Sequence, residues 1–224
     1  MSANVERMFF KGSVPWHGQG HEFTETPTIA EAFEQSGCDF GVSTVPLVTV
    51  GQAQAALDYA VQDGRSFEIQ PDVTRKAIIR NDTGAVLGTC GPRWEPYQNR
   101  DLYEWFRPLV DDGLIALNTG GCLNGGEAVW CLAQTCVENQ EVVKGDEISS
   151  FVLLANRHNG HSAIRVGFTP IRVVCVNTLA MAVSSADSQL LRVRHTSQAN
   201  ITLENIREIM NLASQEFSAT IEKY

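Results

Sequence analysis

The chain has 224 residues, of which 43% are hydrophobic and 19% are charged, and this is enough for one domain with a sizeable core. Its formal net charge of −9 argues against nucleic-acid binding over the whole surface, although a localised basic face remains possible. Apolar runs stay shorter than the roughly 18 residues of a membrane span, and the start MSANVERMFFKG lacks a signal-peptide layout. We therefore expect a cytoplasmic protein without a membrane partner.

The six cysteines follow no disulfide or zinc-binding spacing, so we expect them to be reduced. Paired carboxylates in a motif-like context are also missing. The sequence therefore favours a role without catalysis, metal or cofactor, and we assign no catalytic residue.

Residues 1–27 predict an extended N-terminal arm, because glycines and Pro15 leave little room for regular structure. The arm carries the large apolar residues Phe9, Phe10 and Trp16. They could pack on their own domain, dock on a neighbouring copy or, for Trp16, stack on a base. We favour the neighbour, which predicts a homo-oligomer in the form of a ring or filament.

Residues 28–224 predict a single α+β domain with a mostly antiparallel sheet, β-hairpins, two or three packed helices and a long C-terminal helix. The sequence of the first half predicts a helix from Thr28 to Gly37 and then a strand over 40–50, which Pro46 places at an edge or a bulge. It next predicts a helical insertion within 51–72, a hairpin around Asn81–Gly84 and a helix from about 99 to 112.

The second half predicts strands over 114–118, 127–135 and 147–155, with a glycine-rich loop at 119–126 after the first of them. Asn159-Gly160 is a strong turn signal, because both residues tolerate positive φ, and it predicts a hairpin tip before a strand over 162–168. The remaining elements are a helix or central strand over 171–183, with the helix favoured, a strand over 189–196 and a helix from Thr202 onward. Alternation along the strand places Leu190, Arg192 and Arg194 on one face and Leu191, Val193 and His195 on the other. The final helix carries an apolar stripe, formed by Ile206, Ile209, Met210, Ala213, Phe217 and Ile221.

A local excess of positive charge lies between residues 151 and 198. This segment contains five arginines and three histidines but only one acidic residue, Asp187. Such a segment in an acidic chain predicts an anion-binding face, unless acids elsewhere in the chain pair with the arginines. Two aromatic residues in the irregular segment 91–98 could stack on unpaired bases. The candidate nucleic-acid-binding residues are Arg157, His158, His161, Arg165, Arg172, Arg192, Arg194, His195, Trp94 and Tyr97.

Several motifs resemble a family of phage and plasmid proteins described as a domain of unknown function. They are P-W-H-G-Q-G at 15–20, N-D-T-G at 81–84, G-G-C-L-N-G-G-E-A-V-W at 120–130, H-N-G-H-S-A at 158–163, R-V-V-C-V-N-T-L-A-M-A at 172–182 and R-H-T at 194–196. The resemblance implies an origin in a mobile element.

These observations predict a mobile-element protein that binds single-stranded DNA and acts as a non-catalytic homo-oligomer in annealing-type recombination. The link to annealing recombinases is an analogy of architecture. One alternative is an interaction protein that antagonises a host-defence partner through its acidic surface. Another is a hydrolase or nuclease using His158, His161 and Cys175.

Overall fold

The protein is an α+β domain with one large, mostly antiparallel sheet and one small sheet. The computed structural model describes residues 3–63, 69–70, 72–136, 151–186, 188–208 and 210. None of the helices in these residues combines the length and the apolar character needed to cross a membrane.

The large sheet has seven strands in the order β10-β9-β8-β7-β6-β1-β2. Neighbouring strands run antiparallel, except that β1 and β2 are parallel. The strands are β1 (Val5–Lys11), β2 (His21–Phe23), β6 (Ile115–Leu123), β7 (Ala128–Thr135), β8 (Phe151–Arg157), β9 (Ile164–Thr169) and β10 (Gln189–Val193).

The central strands of the sheet are buried on both faces, and side chains along them alternate between two hydrophobic clusters. Val129 and Leu154 belong to one cluster, whereas Trp130 and Leu153 belong to the other. The first face is covered by α1 (Ile29–Ser36), α3 (Asn99–Glu104), α4 (Arg107–Asp111) and the helical residues 199–208. The second face, called here the α5 face, is covered by α5 (Val176–Ser184).

The small sheet has the order β3-β4-β5, with β3 (Val42–Leu47), β4 (Asp72–Arg80) and β5 (Val86–Cys90). The hairpin predicted around Asn81–Gly84 joins β4 to β5, and Gly84 has φ 70°, which confirms the positive-φ turn. Pro46 lies on the edge strand β3, as predicted, beside a register shift. The predicted insertion contains α2 (Val50–Asp63).

Arg80 ties the small sheet to the large one. It lies almost buried over the Phe40 ring, 4.0 Å from the centroid. Its guanidinium donates to Glu6 of β1 at 2.8 Å, to Asp82 at 2.8 Å and to the Gly125 carbonyl at 3.0 Å. This network fixes β4 against β1 and the turn between β6 and β7 of the large sheet, and β5 is held in place with it.

Two helix predictions need correction. The single helix expected over 99–112 is divided into α3 and α4, because Pro108 near the start of α4 has no N–H to donate and would clash within a continuous helix. The helix expected over 171–183 begins only at Val176, with Cys175 as its N-cap. By contrast, the capping box of Thr28 and Glu31 begins α1 as predicted.

The N-terminal arm predicted for residues 1–27 is also wrong in its first part. Residues 5–11 form β1, which pairs with β6 and places Phe9 opposite Gly120. Phe9 and Phe10 are 0% and 4% exposed, so they are core residues and have no free surface for a neighbouring copy. Nearby glycines suggested irregular structure for this segment. The strand itself is formed by hydrogen bonds to β6, about 110 residues further along the chain, and a local sequence pattern does not reveal such a partner.

The predicted C-terminal helix is confirmed for its described part, residues 199–208. Ala199, Leu203 and Met210 are buried in the core of the first face, and Trp105 donates its indole N–H to the Leu203 carbonyl at 2.9 Å. This part of the helix therefore closes the domain's own core. The rest of the predicted apolar stripe, Ile209 and positions 213, 217 and 221, lies outside the described residues.

Candidate functional site

A cleft of about 820 Å³ opens at one end of the large sheet, where three chain segments meet. The segments are the turn after β5, the tip between β8 and β9, and the residues at the end of β10. We call it the basic cleft, and its lining residues are Gly91, Pro92, Arg93, Trp94, Gly160, His161, Ser162, Ala163, Arg192, Arg194, His195 and Thr196.

The tip between β8 and β9 is shaped by the predicted Asn159-Gly160 turn. The Asn159 side-chain oxygen accepts hydrogen bonds from the backbone N–H groups of His161 and Ser162, both at 3.0 Å. Gly160 has φ 78°, a conformation that favours glycine. The turn holds His161 on the exposed side, where it lines the cleft.

Glycines let this tip lie directly on the backbone of β5. A Cβ at Gly160 would lie 2.1 Å from the Thr89 carbonyl oxygen, and one at Gly88 would lie 2.6 Å from the Asn159 carbonyl oxygen. No side chain fits at these distances. The glycines therefore permit the contact that brings the turn after β5 and the hairpin tip together as two walls of the cleft.

The cleft carries three exposed arginines, Arg93, Arg192 and Arg194, and no carboxylate residue among those that line it. Alternation along β10 buries Val193 and leaves the two arginines beside it in solvent, as the sequence predicts. Within the described part of the chain none of the three forms an ion pair. The cleft is therefore an electropositive site in a protein of net charge −9.

Arg165 lies beside the cleft, directly opposite Arg192 in the β9–β10 pairing. Burial lowers the pKa of Arg165, and the positive charge of Arg192 lowers it further. An acidic neighbour would raise this pKa. The lowered value therefore agrees with the absence of an ion pair for Arg165 among the described residues.

Trp94 and His195 stack on each other at the base of the cleft, with ring centroids 4.6 Å apart and an interplanar angle of 21°. His195 Nδ1 donates to the Glu95 carbonyl at 3.2 Å, so its Nε2 is left as the acceptor. Burial lowers the pKa of His195 to about 4. Both rings are almost buried, and they support the cleft while presenting little surface to it.

His158 does not lie in the cleft, contrary to prediction. It is completely buried, its Nε2 donates to the side-chain oxygen of Asn99 at 2.8 Å, and its ring contacts Phe40 edge-on. Burial lowers its pKa to about 3, with a smaller contribution from His195. The side chain that follows a strand end points back into the core here, so His158 has no surface for a ligand.

Three further candidates contribute to the fold. The Tyr97 hydroxyl is buried and donates to the Asp101 carbonyl at 3.1 Å. Arg172 donates to the carbonyls of Lys11 and Ser13, at 2.9 and 2.7 Å, and so anchors the segment after β1. Arg157 pairs with Glu127 at 3.6 Å. Acids and carbonyls elsewhere therefore occupy part of the predicted arginine face, which is the alternative that the sequence left open.

The structure thus brings half of the candidates into one site. The predicted residues that line the cleft are Trp94, His161, Arg192, Arg194 and His195. Sequence reasoning missed Arg93, although its position beside Trp94 in the irregular Gly91-Pro92 segment was a usable signal. Trp16 is 63% exposed and lies outside the cleft.

The structure does not bring Cys175 and His158 together. Cys175 belongs to the cluster on the α5 face, whereas His158 packs against Phe40 on the first face. Burial acts to raise the pKa of the Cys175 thiol, but hydrogen bonds from Thr178 and Asn177 outweigh it and lower the pKa. Among the described residues, His, Cys, Asp and Glu form no group of three that could hold a metal ion.

The fold and the site define an α+β protein with a basic cleft at the end of an antiparallel sheet. Residues 86–224 match the family model described as Domain of unknown function (DUF932), and because the match covers more than half of the chain, the protein belongs to that family. No curated protein and no solved structure matches the chain. Every residue that lines the cleft falls inside the matched range, whereas β1 to β4 precede it.

Proposed function

We propose that the protein binds single-stranded DNA in the basic cleft, without catalysis. The observation that carries this proposal is the set Arg93, Arg192 and Arg194, which share one cleft and have no ion-pair partner among the described residues. Guanidinium groups bind phosphate through paired, charge-assisted hydrogen bonds. Phosphate contacts of this kind supply most of the affinity of sequence-independent binding.

A single strand suits this cleft better than a duplex. The cleft is confined to three short segments, and the protein as a whole carries a charge of −9, which repels an extended polyanion. One flexible strand can bend its backbone into a small positive site and keep its remaining phosphates away from the acidic surface. A rigid duplex would bring two phosphate backbones to that surface at once.

We propose further that several copies act together on one strand, in annealing-type recombination of a mobile element within the host cytoplasm. Phage or plasmid origin is implied by the motif resemblance. A site with few phosphate contacts gains affinity when it is repeated along one strand. β10 is the last strand of its sheet and carries Leu191 in an exposed position, which gives a neighbouring copy an edge to contact.

A second candidate, antagonism of a host-defence protein, is favoured by one different observation. Helix α2 turns a stripe formed by Val50, Leu57 and Val61 to solvent, with exposures of 85%, 60% and 78%. An apolar stripe on an exposed helix is typical of a protein-binding surface. This function needs α2 and the acidic surface, and it does not need the cleft.

The proposed function is tested with a labelled oligonucleotide whose binding is followed by fluorescence anisotropy over a salt series. We expect the wild-type protein to bind the single strand more tightly than a duplex of the same sequence. Arg192→Ala with Arg194→Ala should flatten the plot of log K against log salt by about 0.7 for each lost phosphate contact. Arg100→Ala with Arg107→Ala removes the same charge from exposed sites outside the cleft.

The control double variant should retain the wild-type slope. If both double variants weakened binding equally, the binding would depend on the net charge of the protein and not on the cleft. The absence of any salt-dependent binding by folded wild-type protein would reject the proposal and leave the second candidate.

A further inference from the structure

The β9–β10 pairing brings two like charges face to face. Arg165 and Arg192 are direct cross-strand partners, so their side chains leave the sheet on the same face. Opposed residues of an antiparallel pair have Cβ atoms about 4.5–5.5 Å apart, and like charges at such positions destabilise the sheet. The pairing therefore costs stability unless a negative charge lies between the two guanidinium groups.

Neither arginine finds that negative charge within the described residues. The ion pairs there involve Arg80, Arg107 and Arg157, and they leave out Arg165 and Arg192. Burial lowers the pKa of Arg165, and the charge of Arg192 lowers it further, as expected for an arginine without an acidic neighbour. Arg157 lies on the same face at the end of β8 and differs from the pair in having Glu127 as its partner.

Two neighbours of the pair on this face of the sheet carry little or no side chain. On β8 the residue opposite Arg165 is Ala155, and the next pair on this face of β9 and β10 is Gly167 opposite Leu190. Ala155 and Gly167 therefore place no large side chain beside Arg165 on β8 or β9, whereas Leu190 stands beside Arg192 on β10.

We propose that Arg165 and Arg192 together hold a phosphate dianion, and specifically the phosphomonoester at the end of a DNA strand. Two guanidinium groups carry two positive charges, which match a terminal phosphate of charge near −2 better than an internal phosphodiester of charge −1. Arg192 also lines the basic cleft, so a strand whose end is held by the pair continues directly into the cleft. The phosphate site stands on its own geometry, while the DNA end as its natural ligand rests on the proposed function.

The first experiment uses the full chain and inorganic phosphate, compared with chloride at equal ionic strength. We expect phosphate to raise the unfolding temperature of the wild-type protein by about 2 °C or more once its concentration is well above the dissociation constant. Arg165→Gln should abolish this rise. Because it also removes the repulsion of Arg192, Arg165→Gln should unfold at the wild-type temperature or above when phosphate is absent.

Arg157→Gln is the matched control, since it removes an arginine from the same face that already has an acidic partner. It should keep the phosphate response. The inference is overturned if phosphate stabilises the wild-type protein no more than chloride does, or if Arg165→Gln responds as strongly as wild type.

The second experiment compares oligonucleotides of one sequence with a 5′-phosphate, a 3′-phosphate or two hydroxyl ends. We expect a phosphorylated end to improve affinity at least about fivefold, and Arg165→Gln to remove the difference. Equal affinity for all three strands, with binding still sensitive to Arg194→Ala, rejects the strand end and leaves the proposed function intact. Stabilisation by inorganic phosphate without binding of any strand would uphold the arginine pair as a phosphate site and reject the proposed function.

Discussion

At the scale of single residues, two buried histidines make the stability of the protein depend on pH. Burial lowers the pKa of His158 to about 3 and that of His195 to about 4, compared with an ordinary value of 6.5. Between pH 6.5 and about 4 the unfolded chain therefore binds protons that the folded protein does not. Stability is fully present above pH 6.5 and decreases as the pH falls.

We predict that the free energy of unfolding falls between pH 7 and pH 5 by up to about 1.4 kcal/mol per pH unit for each histidine. Urea denaturation at a series of pH values measures this slope. His158→Gln keeps an amide N–H that can donate to Asn99 and should remove about half of the slope. A flat profile from pH 7 to pH 5 would show that the two histidines are accessible to protons in the folded protein.

Gly160 is a second residue whose replacement has a defined cost. At φ 78° a side chain is strained, and a Cβ would also lie 2.1 Å from the Thr89 carbonyl oxygen. Gly84, at φ 70°, has no atom within 4 Å of a Cβ, so Gly84→Ala isolates the conformational cost of about 1 kcal/mol.

We predict that Gly160→Ala destabilises the protein by at least about 2 kcal/mol more than Gly84→Ala, and that Gly160→Val is worse because valine is β-branched. Thermal unfolding of the three variants measures the difference. Equal costs for the two alanine variants would mean that the hairpin tip does not lie tightly against β5.

At the scale of elements, several correct predictions rest on local chemistry, although the helix over 99–112 was not predicted to break at Pro108. The turns at Asn81–Gly84 and Asn159-Gly160, the capping box of α1 and the alternation of Arg192 and Arg194 all depend on residues a few positions apart. β1 depends on β6, more than 100 residues away, and no local pattern reports that pairing. The cleft was predicted only in part, also because it depends on distant contacts. Arg93 joins it through the contact between β5 and the hairpin tip, which are far apart in the sequence.

The position of β1 inside the sheet gives a prediction at this scale. A chain that starts at Thr24 loses β1 and β2, and with them the buried side chains of Met8, Phe9 and Phe10, each of which contributes about 1.5–3 kcal/mol. Their sum is comparable to the whole stability of an ordinary domain. We expect the shortened chain to be unfolded by circular dichroism and prone to aggregate. A shortened chain with a native spectrum and a cooperative transition would contradict the place of β1 in the core.

At the scale of the whole molecule, charge is distributed unevenly. The chain has a net charge of −9, yet the cleft gathers three arginines, with Arg165 beside it as a fourth, and none of the four has an ion-pair partner in the described part of the chain. An acidic body with one basic site restricts where a polyanion can bind, and it also keeps copies of the protein apart in solution. We therefore expect the free protein to be monomeric at low salt and to assemble only along a strand.

Light scattering with and without a long single strand measures this behaviour. A rise in mass that follows strand length supports the assembly proposal. A constant mass of one protein per strand would reject assembly while leaving DNA binding by the cleft in place.

The most direct test of the central claim, that the basic cleft binds single-stranded DNA, is amide hydrogen exchange with and without a saturating oligonucleotide. We predict that protection concentrates in the three segments of the cleft, residues 91–94, 160–163 and 192–196, and that Arg192→Ala with Arg194→Ala abolishes it. Protection centred on α2 or elsewhere on the acidic surface, or none at all at saturation, would show that the cleft does not bind the strand.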